Sequence, residues 1–123
     1  MNRKLACAIV FYCLSTAWPI QGMAHALTQA ECIEGSEFIQ NAALARDGGL
    51  TREFFVDKLA EDLLVIQSYP PQLRWFVQDA SDEQLLTEAV HRVFDQPMPP
   101  EDHAAWFIDA CMRYARSVVG DGI

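Results

Sequence analysis

A chain of 123 residues that is 51% hydrophobic, with seventeen acidic and nine basic side chains, is long enough for one folded domain and short for two. Its formal net charge of −8 repels nucleic-acid phosphate and anionic lipid head groups, which argues against both as partners. The same charge suits solubility or a basic protein partner.

The first 26 residues have the three parts of an export signal. Arg3 and Lys4 supply a positive start, and residues 5–18 (LACAIVFYCLSTAW) form an uncharged apolar run. Pro19 and Gly22 break that run, and Ala24-His25-Ala26 offers small residues at the peptidase positions, with Gly22-x-Ala24 as a second possible site. The run is shorter than the roughly 20 residues that cross a bilayer, so a cleaved signal is expected and not a stable membrane anchor. Neither Cys7 nor Cys13 sits in a lipoprotein pattern. The expected folded unit is a single helical domain over residues 27–123, periplasmic or secreted. Two of the nine basic residues leave with the leader, so seven face all seventeen acids and the remainder carries −10.

Removing the leader leaves Cys32 and Cys111, 79 positions apart. In an oxidising compartment this pair is expected to form a disulfide, worth up to about 4.5 kcal/mol by loop-closure entropy. The absence of C-x-x-C argues against a redox role.

Four main helices follow in order, with one short helical turn between the second and third. Thr28-Gln29-Ala30-Glu31 reads as a capping box. The helix behind it runs to about Arg46, carries Cys32, Ser36, Ile39 and Ala43 at helical spacing, and ends at Gly48-Gly49. Thr51 is the expected N-cap of a second helix over residues 52–67, whose stripe is Phe55, Leu59, Leu63 and Ile66, flanked by Val56 and Leu64. Pro70-Pro71 stops it, and residues 72–77 are expected to make one or two helical turns. Ser81-Asp82-Glu83-Gln84 reads as a second capping box opening a helix to about Asp95, with Leu86, Ala89, Val90 and Val93 inward. Residues 96–99 form a connector, and Pro100 suits the first turn of the last helix. That helix turns Ala104, Phe107, Ile108, Cys111, Ala115 and Val118 inward, and Gly120 and Gly122 mark an expected frayed tail. No segment alternates long enough to argue a strand. The expected fold is all-α, a compact bundle whose disulfide joins the first and last helices.

No catalytic, metal or cofactor signature is present. His91 and His103 stand on different helices without a nearby second ligand. G-x-S-x-G and H-E-x-x-H are both missing, so no enzyme activity is expected. Two features stand out instead. In Arg46-Asp47-Gly48-Gly49, Asp47 opposes the helix dipole and so needs a partner, which Arg46, Arg74 or a turn amide would supply. In residues 69–76, Tyr69, Arg74, Trp75 and Phe76 crowd a rigid break, and these residue types dominate protein-binding hot spots. They either form a binding surface, which Trp106 would extend, or close one end of the core.

The early Cys32, Arg46-Asp47-x-Gly49, Val93-Phe94-x-x-Pro97 and the closing Cys111 together resemble a set of small exported proteobacterial two-cysteine helical proteins of unassigned function. The resemblance implies a periplasmic disulfide-bonded helical domain without catalysis. In outline the chain also looks like immunity proteins of the Tai type and acid-stress chaperones of the HdeA type. The expected function is a non-catalytic interaction module that binds another periplasmic protein. The alternatives are a stress-responsive holdase and an immunity-type toxin inhibitor.

Overall fold

Helix α1, Gln29–Asp47, begins where the sequence places it. The Thr28 hydroxyl accepts the Glu31 amide at 3.1 Å, and the Glu31 carboxylate accepts the Thr28 amide at 2.9 Å. The pair satisfies two of the amides that every helix start leaves open. This computed structural model describes residues 27–121. The proposed leader and Gly122 lie outside the described residues.

The end of α1 is a Schellman motif. Leu50 N–H donates to the Ala45 carbonyl and Gly49 N–H to the Arg46 carbonyl, both at 3.0 Å. The motif needs one left-handed residue, and Gly49 supplies it at φ +104°, whereas Gly48 stays right-handed.

Helix α2, Arg52–Gln67, starts on Thr51, whose hydroxyl accepts the Phe54 amide at 3.2 Å. The following segment is less helical than expected. Only Pro71–Leu73 forms a 3-10 turn, and Arg74 returns to extended backbone. Side chains here take the carbonyls that a longer helix would have used internally. Arg74 donates to the carbonyls of Tyr69 and Gln67, and Gln78 to those of Pro71 and Trp75.

Helix α3, Ala80–Asp95, begins one residue before Ser81, so the second capping box shifts. The N-cap is Asp79, whose carboxylate accepts the Asp82 amide at 2.9 Å. Asp82 occupies the third helical position and reaches back to the Gln78 amide at 3.0 Å. Asp and Ser cap comparably, and the Asp79 carboxylate in addition complements the positive helix end.

Helix α4, Pro100–Asp121, opens on its proline and continues through Gly120, so the helix extends past the position expected to begin a frayed tail. Its widest contact is with α1. Cys32 and Cys111, both fully buried, join the two helices with their Cα atoms 5.7 Å apart. Gly35 sits against the Phe107 ring, and a Cβ built there would come within 2.6 Å of it. α3 packs on α1, and α2 packs mainly on α3. The core gathers Ile39, Leu86, Val90, Val93, Phe76 and Phe107. Among the described residues the fold is thus an all-α bundle of four helices, its first and last stapled by the disulfide.

Candidate protein-binding surface

The aromatic break divides between core and surface. Phe76 is 1% exposed and stacks edge-on between Trp75 and Phe107, with ring centres 4.3 and 6.4 Å away. Trp75 is half-buried, its ring 5.1 Å from that of Phe38. These two side chains therefore build the end of the core. Arg74 is occupied with the backbone carbonyls that hold the break in shape. Tyr69 and Leu73 remain exposed. Trp106 lies apart from this group, half-buried beneath the Arg92 guanidinium, which stands 4.4 Å over its ring in a cation–π contact.

Arg46 and Asp47 do pair, the carboxylate accepting from Nε at 3.0 Å and Nη2 at 2.8 Å. Arg46 also reaches far beyond its own turn. Nη1 donates to the carbonyls of Val93 at 2.8 Å and Gln96 at 3.0 Å, and Nη2 to that of Met98 at 2.9 Å. A cation from α1 thereby caps the C-terminus of α3 and fixes the connector to α4.

His103, whose burial was not legible in the sequence, closes this junction. It is fully buried, with Nε2 3.0 Å from the Gln96 carbonyl. A carbonyl only accepts, so Nε2 carries the proton. Nδ1 is also buried and has no hydrogen-bond partner among the described residues. Burial pushes the pKa of His103 below its ordinary value of 6.5, and the charges of Arg46 and Arg92 push it further. The Gln96 contact and Asp102 oppose this. A partly buried polar pair joins α3 to α4. The Tyr114 hydroxyl donates to Asp82 at 3.2 Å, and burial with the Asp82 charge pushes Tyr114 up to about 12.

The surface of α2 is the other feature that the helix stripe left unread. Eight large hydrophobic side chains are exposed among the described residues, and six of them fall between positions 50 and 73. They are Leu50, Phe54, Leu64, Val65, Tyr69 and Leu73, with Leu64 69% exposed and Phe54 60% exposed. Phe54, Leu64 and Val65 lie off the inward stripe, and that second apolar set was the available signal. The buried residues of α2 are Leu59 and Leu63 alone. A groove runs along each side of it. One, between α1 and α2, is lined by Phe38, Leu50, Phe54 and Phe55; the other, between α2 and α3, is lined by Val56, Ala60, Leu63 and Thr87.

Among the described residues no group of three or more His, Cys, Asp or Glu side chains is placed to hold a metal ion. No helix among them is long and apolar enough to cross a membrane.

No protein-family model matches this chain, and neither a curated protein nor a solved structure matches it.

Proposed function

We propose that this protein is exported through its N-terminal leader and acts without catalysis, as an interaction protein that engages another protein of the same compartment through α2 and its C-terminal flank. The concentration of exposed apolar side chains between Leu50 and Leu73 carries this reading. Exposed apolar side chains gathered on one helix and its flanks mark an interaction site more often than a bare surface does. Tyr69 and, through its hold on the break, Arg74 stand at the edge of this surface, whereas Trp75 and Phe76 pack against Phe38 and Phe107 in the core. The test is affinity capture from extracts of the host compartment, with the oxidised protein as bait. A partner held by the wild type should be lost with Phe54→Ser or Leu64→Ser and kept with Leu44→Ser, which alters an exposed leucine on α1. Equal retention by all four baits would remove the reading.

The buried His103 favours a second reading, a holdase that opens in acid. Its protonation would set a charge beside Arg46 and put a new N–H on Nδ1, which has no acceptor among the described residues. Exposure of apolar surface below pH 5, measured by dye binding together with client protection, would support it. A cooperatively folded protein at pH 2 would dispose of it.

A further inference from the structure

Resting on the reading of α2 as the docking element, we propose that the groove between α2 and α3 seats a cationic amphipathic helix of the partner protein. The groove has a volume of about 310 Å³. Val56, Ala60 and Leu63 line it from α2, and Thr87 and Glu83 from α3, with the exposed Leu64 as its outer lip. A hydrogen bond from Gln67 to Glu83 ties the two helices together beside it. Ala60 provides room, since a larger side chain at that position would fill the depression.

Charge selects the occupant. Glu53, Asp57 and Glu61 recur every fourth residue and so line one exposed ridge of α2, and Leu64 follows Glu61 by three positions on the same side. The two cations of α2 are already engaged, Arg52 with Asp95 and Lys58 with Asp62. No ion pair within 4 Å reaches the three ridge carboxylates among the described residues, and Lys58, whose charge acts on Glu61, is itself bonded to Asp62. Like charges at this spacing disfavour the helix that carries them, so a cationic partner relieves repulsion as it binds. A second copy of this chain would bring the same ridge and the same net negative charge, which sets the surface against self-association. An amphipathic helix with Leu or Ile on one face and Lys or Arg flanking that face meets both demands. Its apolar side enters the groove and its cations face the ridge.

The probes are two synthetic amphipathic peptides of about four turns with the same leucine face, one carrying lysines and the other glutamates. Amide chemical shifts of the oxidised protein locate binding, and titrations in 50 and 300 mM salt measure it. The lysine peptide should shift the resonances of Val56, Ala60, Leu63 and Thr87, and its affinity should fall at least tenfold at the higher salt. The glutamate peptide should not bind. Glu53→Gln, Asp57→Asn and Glu61→Gln together should cut the affinity tenfold or more with helicity unchanged, and Ala60→Phe should block the groove. Equal binding of both peptides, shifts centred on Phe38 and Phe54 in the other groove, or wild-type affinity in the triple variant would overturn the proposal. If the lysine peptide fails while Leu64→Ser still releases a captured partner, the groove assignment falls and the α2 reading stands. If both fail, the reading of α2 falls as well.

Discussion

The Arg46 guanidinium on α1 lies 3.4 Å from Nε2 of His103 on α4, and both groups meet at the Gln96 carbonyl beyond the end of α3. Three helices thus converge on one polar junction. Among the described residues, the cation that holds the carbonyls of Val93, Gln96 and Met98 is Arg46, whose side chain is 18% exposed. Removing it leaves three backbone carbonyls with one donor fewer.

Arg46→Ala should therefore destabilise the fold by about 2–3 kcal/mol, the range expected when charged hydrogen bonds to partly buried carbonyls are lost. Arg46→Lys should recover only part of this, because an ammonium cannot reproduce the planar fork that serves Val93, Gln96, Met98 and Asp47 together. Urea unfolding of the three proteins decides it. A loss below about 0.5 kcal/mol for the alanine variant would show that the junction contributes little.

His103 gives that junction a pH dependence. Its pKa is lowered in the fold, so the unfolded chain takes up the proton first. Stability from this group is complete well above the ordinary value of 6.5 and declines as pH falls through that value towards the lower folded pKa. The unfolding midpoint in urea should drop between pH 7.5 and pH 5. His103→Gln should flatten that part of the profile, although it also loses packing. An identical slope in the variant would assign the pH dependence to the carboxylates instead.

Reduction of the disulfide should cost about 2–5 kcal/mol, since Cys32 and Cys111 close a loop of 79 residues in the unfolded chain. The same pair also holds the widest helix contact of the bundle, α1 against α4. Urea unfolding with and without reductant measures the difference. Cys32→Ala with Cys111→Ala separates the covalent link from reductant side effects. A difference below about 1 kcal/mol would mean that packing around Phe107 and Gly35 holds α1 and α4 without the link.

The helices were legible because their signals are local. Thr28 with Glu31, Thr51, and Pro100 each act within one turn, and the bounds of α2 follow from Thr51 and the Pro70-Pro71 stop. The start of α3 was misplaced because two cap patterns overlap there, and with Asp79 as the cap the Asp82 carboxylate also accepts the Gln78 amide. The disulfide was legible because only Cys32 and Cys111 lie beyond the expected leader. The polar junction was not, because Arg46 finds its carbonyls about fifty positions away and no short-range pattern encodes that distance. For the surface, periodicity separated the inward stripe of α2 from its remainder. Whether Trp75 and Phe76 lay inside or outside depended on how an irregular segment folds back onto Phe38 and Phe107, and spacing does not report that.

Adjacent leucines on α2 offer the sharpest separation of folding from binding. Leu63 is 6% exposed and packs inward, while its neighbour Leu64 is 69% exposed at the lip of the groove. Leu63→Ala removes buried methyl groups and should cost about 2–4 kcal/mol of stability. Leu64→Ala removes groups already in water and should change stability by less than about 0.5 kcal/mol. If Leu64 contacts a partner, only the binding titration should register its loss, because the apolar area it covers is exposed in the free protein. Thermal unfolding of both variants beside a partner or peptide titration checks the pair. A large stability loss at Leu64 would show that this side chain contributes to the fold, and the exposed face of α2 would lose its strongest member as a docking surface.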